Sequence, residues 1–358
     1  MYFPWDHTII IAEAGINHDG DLDKAMAMAE VAAEAGADFV KYQIFKAEGL
    51  VIPEAEISSY ILEGKHENEN FQDVLRRIEL SADDHRAVKE VCDGLGIKFL
   101  STAFDHDSLD FLCDDLKCEV IKIASCDLTN PRFLRYAASK KLPIILSTGM
   151  GDLPEIDEAM KTLREAGAGE VCLLHCVSWY PCPVEIANLR AMETLRNRYG
   201  TVHVGYSDHS LSAALPPAAV AMGASVIEKH FTLDNTAFGP DHKASLMPDD
   251  LKEMVRLIRD VEKGLGSGAK GPNDIDDIEL GQRRVHRRSV VTARPISKGE
   301  AFTADNLDLR RPGTGIEPRQ LDAILDRTAA CDIAGEVLLR PDDIEDWTPL
   351  PGPGVGAS

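Results

Sequence analysis

Over residues 8–231, short runs of aliphatic and β-branched residues alternate with longer segments whose apolar positions recur every three or four residues. The short runs are Thr8–Glu13, Phe39–Gln43, Lys98–Thr102, Val120–Ser125, Pro143–Thr148, Val171–Cys176, His203–Ser207 and Val226–Phe231. Their length and flanking turn residues predict buried strands, and stretches such as Leu22–Ala35, Ala82–Leu95, Glu155–Ala166 and Pro248–Glu262 predict helices. Eight strands, each followed by a helix, make an α/β fold, a closed (β/α)8 TIM barrel. A doubly wound open sheet would carry fewer strands and a Gly-rich fingerprint after the first. Here the first strand runs into AEAGINHDGD, without G-x-G-x-x-G spacing.

Punctuation divides the chain. Residues 1–264 form the barrel, and the Gly- and Asp-rich stretch from Gly264 to Gly281 with the basic run Arg283–Arg288 reads as a linker over 265–288. Residues 289–347, with β-rich runs, Gly/Pro turns and a short helical stretch near Arg319–Leu325, read as a small β-containing domain. The Pro/Gly-rich residues 348–358 read as a disordered tail. The longest insertion, Lys46 to Leu80, follows the second strand, at the face where barrels keep their chemistry, and is a candidate lid. Ser81 and Asn130-Pro131 mark helix starts, and the helix between the seventh and eighth strands is expected to begin at Pro216.

Composition changes this picture only at its edges. The formal charge of −22 in 358 residues argues against nucleic-acid binding, which needs clustered Lys and Arg, yet leaves room for a locally basic anion pocket. The opening segment lacks a basic n-region, and no apolar run is long enough to span a bilayer, so no membrane association is expected. Eight cysteines without a CxxC pair read as buried free thiols in a reducing cytoplasm.

Barrel chemistry sits at the C-terminal ends of strands. Residues two apart in a strand share a face, so Ser207 lies alongside His209 and Glu228 alongside His230. If those strands are neighbours, both histidines emerge together as half of a metal site whose open positions take oxygen ligands. Either histidine alone would more simply close a strand end with a hydrogen bond; the matched pair favours the metal. Lys41 and Lys122 lie in strands that should fill the barrel, where a charged amine is costly unless an anion faces it. With Ser and Thr hydroxyls on adjacent strands they make a cradle for phosphate or carboxylate. Either lysine is also a candidate Schiff-base amine.

The motifs IAEAGINHDGDL, DFVKYQ, FLSTAFD, VIKIAS, ILSTGM, LLHCVSWYP, VGYSDHS and VIEKHFTLD…GPDHKASL resemble, in order and spacing, the N-acetylneuraminate (sialic acid) synthase family. The segment RRSVVTARPISKGEAFTADNLDLRRPGTG…AACDIAGEVL resembles that family's C-terminal antifreeze-like SAF domain. The resemblance implies condensation of phosphoenolpyruvate with an N-acylated hexosamine, usually N-acetylmannosamine, to a nine-carbon 2-keto acid with release of phosphate. It implies a divalent cation, Mn2+ or Mg2+, on His209 and His230. It assigns Lys41, Thr102, Lys122, Ser125, Ser147, Ser178 and Ser207 to phosphoenolpyruvate, and Gln43, Tyr180, Asp241 and Arg311 to the acceptor. Glu13 matches an acid near the sugar, and Asp127 stands where the family often has glutamate, as a candidate base for water. Arg311 is expected to reach the acceptor of the other subunit, which implies a domain-swapped homodimer. Ser178 in place of a common asparagine, Trp179 beside it and the unusual Pro216-Pro217 leave the acceptor open. The GPDHKASL loop resembles sialic and legionaminic synthases more than pseudaminic ones, so 2,4-diacetamido-2,4,6-trideoxymannose is the alternative acceptor. A Schiff-base aldolase using Lys122 and a carbohydrate- or ice-binding module built on residues 289–347 are the rivals from other classes.

Overall fold

The structure, a computed structural model, describes residues 6–55, 70–200, 202–270 and 274–350. Its strands are β1 (Ile9–Gly15), β2 (Phe39–Ile44), β3 (Lys98–Ala103), β4 (Ile121–Ile123), β5 (Ile144–Ser147), β6 (Val171–Cys176), β7 (His203–Asp208) and β8 (Val226–His230). They close in chain order into a parallel barrel, β8 pairing with β1. Around it and in its loops run α1 (Leu22–Ala35), α2 (Ala47–Leu50), α3 (Phe71–Arg77), α4 (Ala82–Leu95), α5 (His106–Asp110), α6 (Pro131–Ser139), α7 (Leu153–Glu165), α8 (Ala191–Tyr199), α9 (Leu215–Ala221) and α10 (Pro248–Leu265). The TIM barrel read from the apolar pattern is the fold observed.

Local chemistry explains the boundaries. Asp21 caps α1 by accepting from the amides of Asp23 and Lys24, and Gly36 ends it at φ 81°, a conformation that costs glycine nothing. Ser81 and Asp84 form a reciprocal capping box at the start of α4. α9 starts at Leu215, so Pro216 stands in its first turn, where its missing N–H is harmless. The fourth strand is shorter than expected. After Ile123 the chain turns into a single 3-10 turn at Ser125–Asp127, because the Asp127 amide bonds back to the Ala124 carbonyl instead of extending the ladder.

The period of two decides what fills the barrel. Inward side chains near the N-terminal ends of the strands (Ile9, Ile11, Phe39, Leu100, Val120, Ile145, Cys172, Leu174 and Val226) form an apolar plug. One pleat higher the inward positions become Glu13, Lys41, Thr102, Lys122, Ser147, Ser207 and Glu228, all buried. The outward residues of the strands join the helices in the main core. The barrel interior is therefore a sealed base carrying a charged floor at the C-terminal end.

The chain divides into two compact units, Met1–Gly266 and Ser267–Ser358. In the second, β9 (Ser289–Thr292) pairs antiparallel with β10 (Leu307–Arg310) around a core that includes Val290, Phe302, Ile324 and Leu339. The helical stretch expected near Arg319–Leu325 is a 3-10 helix at Pro318–Ala323. The segment read as a linker contains a helix, α11 (Asp277–His286), capped by Asp276 with acids in its first turn and Arg283, Arg284 and His286 in its last, which complements the helix dipole. The expected tail falls mostly on residues 351–358, outside the described residues. Two thiols differ from expectation: Cys126 and Cys331 are exposed, while Cys92, Cys118, Cys172, Cys176 and Cys182 are buried. Cys126 sits in the polar turn that replaces the end of β4, and Cys331 lies beside Asp343 on the small second unit.

Candidate active site

The strand ends open into a cleft of about 530 Å³ lined by Glu13, Lys41, Gln43, Thr102, Lys122, Ser125, Ser147, Ser178, Tyr180, Ser207, His209, Glu228, His230 and Asp241. Pairing fixes these neighbours: Glu13 faces both Lys41 and His230 across the ladders, Thr102 faces Lys122, and Ser207 faces Glu228. The two lysines point inward, not toward the helices. Lys41 Nζ lies 3.0 Å from Thr102 Oγ1, 2.9 Å from Glu13 and 3.5 Å from Glu228. Lys122 Nζ donates to Ser147 Oγ at 2.8 Å and lies 3.8 Å from Glu228.

Glu228 is the hub that sequence reasoning left without a role. Its carboxylate accepts from Ser207 Oγ at 2.9 Å and faces both ammonium groups. Burial opposes its charge, but Lys122, Lys41 and the Ser207 hydroxyl outweigh that and hold its pKa down to about 2. Glu13 goes the other way: burial pushes it up to about 7 against the pull of Lys41. Burial likewise raises Asp241 to about 6 and lowers Lys122. Lys41 is also desolvated, yet its two carboxylate neighbours raise its pKa. The floor thus sets two lysines around one firmly ionised carboxylate, Glu228. Its position two residues before His230 was the signal available for Glu228.

The two histidines stand together, ring centroids 5.5 Å apart. His209 Nδ1 lies 2.7 Å from the Val177 carbonyl, which can only accept, so the ring proton sits on Nδ1. Ser207, 3.5 Å from His209 Nε2, gives its one hydroxyl hydrogen to Glu228, leaving that nitrogen as a lone pair in the cleft. His230 Nδ1 is buried with no hydrogen-bond partner among the described residues and lies 3.7 Å from Asp241. Burial lowers the pKa of both rings, so both are neutral. Tyr180 stacks on His209 at 4.2 Å and meets His230 edge-on. Two neutral imidazoles, one oriented through its second nitrogen by a backbone carbonyl, fit a divalent cation that takes its other ligands from oxygen. Among the described residues no group of three His, Cys, Asp or Glu side chains forms a metal cluster.

Asp127 is the predicted barrel residue that does not line the cleft. Its carboxylate accepts from the Asn130 side chain at 2.9 Å, at the start of α6, and burial raises its pKa. The 3-10 turn that shortens β4 aims it there. Arg311 lies exposed in the second unit, in the turn after β10. Other polar residues near the strand ends serve the scaffold: Asn17 bonds to the Phe231 carbonyl, Thr148 to Leu174, and His175 to Ala187. The cleft has a second, apolar wall from Ile16, Leu50, Val51, Phe71, Val74, Leu75 and Ile78, mostly from the insertion after β2. The lid expected over Lys46–Leu80 falls partly on residues 56–69, outside the described residues.

A family model described as the NeuB family matches residues 28–270, and the SAF domain matches residues 287–345. The chain is 43% identical over 340 residues to the N,N'-diacetyllegionaminic acid synthase of Legionella pneumophila, covering 94% of each chain. It is 40% identical over 335 residues to the enzyme of that name from Campylobacter jejuni, covering 93% of this chain and 99% of the relative. Among solved structures, an N-acetylneuraminic acid (sialic acid) synthetase from Leptospira borgpetersenii superposes with a TM-score of 0.67 at 35% identity, covering 78% of this chain and 92% of that one. A parallel barrel with a charged floor, followed by a SAF domain and matched along nearly its whole length, belongs to the NeuB family.

Proposed function

We propose that this chain condenses phosphoenolpyruvate with an N-acetylated amino sugar to give a nine-carbon 2-keto sugar acid and inorganic phosphate. NeuB-family synthases of sialic, legionaminic and pseudaminic acid are phosphoenolpyruvate-dependent condensing enzymes. The observation that carries the reading is the pair of buried lysines set among hydroxyls in the same cleft as two neutral imidazoles. Lys41 and Lys122 bind the donor's phosphate and carboxylate, and Thr102, Ser125, Ser147, Ser178 and Ser207 orient it. Gln43, Tyr180 and Asp241 hold the acceptor.

The enol carbon bonds to the aldehyde carbon of the open-chain sugar, and the aldehyde oxygen takes a proton. Glu13, protonated up to about pH 7 by its burial, is the acid on that side of the floor. Water then adds to the electron-poor carbon and loses a proton, the C–O bond breaks, and phosphate departs to leave the keto acid. Asp127, turned toward Asn130, is given no step. The NeuB family is generally metal-dependent, and a Mn2+ or Mg2+ ion held by His209 and His230 would polarise the aldehyde oxygen.

The acceptor reading follows the apolar wall. Leu50, Phe71, Val74 and Leu75 suit the methyl group and second acetamido methyl of 2,4-diacetamido-2,4,6-trideoxymannose better than the hydroxymethyl group of N-acetylmannosamine. We assign the trideoxy sugar, giving a legionaminic acid. Phosphate release measured against both acceptors, with and without chelator, tests this: kcat/KM is expected to favour the trideoxy sugar by roughly tenfold or more. His209→Ala and His230→Ala are expected to lose about a hundredfold or more in turnover. Wild-type-like turnover in chelator would sink the metal; equal use of both sugars would sink the acceptor assignment. A Schiff-base route through Lys122, whose pKa burial lowers, predicts borohydride trapping with pyruvate, and strict dependence on phosphoenolpyruvate would exclude it.

The expected domain-swapped homodimer, with Arg311 completing the partner's acceptor site, belongs to the same reading. So does a cytoplasmic location, supported by eight free thiols. Among the described residues no helix is long and apolar enough to cross a membrane.

A further inference from the structure

Between Ser207 and His209 stands Asp208, and between Glu228 and His230 stands Lys229; both point out of the barrel. That outward layer is otherwise the main apolar core: Ile10, Val40, Ile121, Ile144, Leu173 and Ile227 occupy it. Yet Lys229 Nζ lies 2.7 Å from Asp208 Oδ2 with both side chains fully buried, at 0% exposure. Neither lines the cleft. A fully buried ion pair rarely outperforms well-packed apolar residues in stability, so its use here asks for another reason.

Its remaining hydrogen bonds supply one. Asp208 Oδ1 accepts from the Ser210 amide at 2.9 Å and from Tyr206 OH at 3.0 Å. Lys229 Nζ also donates to the Ser210 carbonyl. Both backbone groups of Ser210, the residue after His209, are thus tied to this pair, while the His209 carbonyl accepts from the Cys182 amide at 2.8 Å. Lys229 is the immediate neighbour of His230, and the ladder pairs it directly with Asp208. One network clamps the backbone on either side of His209 to the residue that carries His230.

We propose that Asp208 and Lys229 are positioning residues that set the separation of the two imidazoles, and through it the affinity of the site for a divalent cation. The charged pair does from behind the strands what a hydrogen bond to a ligand's second nitrogen does from beside it. Apolar side chains of the same volume would pack as well and leave Ser210, and with it the backbone of His209, without its tether. The inference rests on the reading of His209 and His230 as cation ligands.

The test is Mn2+ titration of the full-length protein without substrates, followed by electron paramagnetic resonance of free Mn2+, with thermal unfolding in parallel. Asp208→Asn/Lys229→Met removes both charges at nearly constant volume. It is expected to unfold cooperatively near the wild-type temperature but to bind Mn2+ roughly tenfold or more weakly. Tyr206→Phe removes a single hydrogen bond to Asp208 and should weaken Mn2+ about fivefold. Mn2+ affinity equal to wild type in the folded double variant overturns the proposal. Should the double variant not fold, unchanged affinity in Tyr206→Phe overturns it. His209→Ala separates the two ideas: wild-type protein that binds no Mn2+, or binds it regardless of His209, overturns the cation reading itself.

Discussion

Gly149, which follows β5, shows how closely the donor side of the cleft is drawn. A Cβ there would stand 2.4 Å from Ser178 Oγ, 2.8 Å from Ser125 Oγ and 2.9 Å from Cys176 Sγ, and its amide donates to Ser125 at 2.9 Å. Gly149→Ala must push both serines aside, an overpacking cost of about 1–3 kcal/mol. Because both serines are assigned to the donor, we expect KM for phosphoenolpyruvate to rise roughly tenfold or more while the acceptor KM stays nearly constant. Steady-state kinetics with each substrate varied checks this, and an unchanged donor KM would remove Ser125 and Ser178 from the donor site. Asp127 carries the opposite lesson. It follows the motif VIKIAS closely, yet its carboxylate accepts from Asn130 and does not line the cleft.

Among the elements, α4 contains a histidine that has no part in the chemistry. His85 is fully buried, edge-on to Phe99 of β3 and to Phe111, and neither ring nitrogen has a hydrogen-bond partner among the described residues. Burial lowers its pKa from 6.5 to about 4. Above pH 6.5 the ring is neutral both folded and unfolded and contributes no pH dependence. Between 6.5 and 4 the unfolded chain binds a proton that the folded one refuses, so stability falls as pH falls across that window. Below 4 both forms are protonated and the loss is complete, at most about 3 kcal/mol from this histidine. His85→Leu should flatten the curve of unfolding free energy between pH 6.5 and 4, measured by urea denaturation. An unaltered slope would show that the ring is not held neutral. His18, likewise held at about 4 by burial, keeps part of the slope in that variant.

The whole molecule joins a barrel and a SAF unit, each with its own core. The barrel cleft contains its own lysines, hydroxyls, acids and imidazoles, whereas the one arginine assigned to the acceptor, Arg311, lies in the second unit. If Arg311 acts in trans, an Arg311→Ala subunit mixed with a His209→Ala subunit regains part of the wild-type activity, because each heterodimer builds one intact site. The expected ceiling is about a quarter of wild-type turnover for a random mixture of dimers, since half the dimers are mixed and each has one good site. No recovery, with heterodimers demonstrated by differential tagging, would mean that the site is completed in cis or not by Arg311 at all.

Much of this was legible in the amino-acid sequence. The alternation of apolar runs and amphipathic stretches determined the barrel, because a period of two and a period of 3.6 leave different residues to bury. The same period put Lys41, Lys122, Ser207, Glu228 and the two histidines on inward faces at strand ends, so most of the cleft followed once the barrel was recognised. What tertiary structure decided were the relations that no local pattern encodes. The helix within the expected linker and the turn at Asp127 rest on local hydrogen bonds and caps, whereas the apolar wall from the insertion and the role of Glu228 as counter-charge to two lysines depend on which segments meet. The buried pair Asp208–Lys229 is of that kind: along the chain it is only an acid and a base twenty-one residues apart. Strand pairing brings them together, and only there does the low-dielectric layer around them make the contact matter.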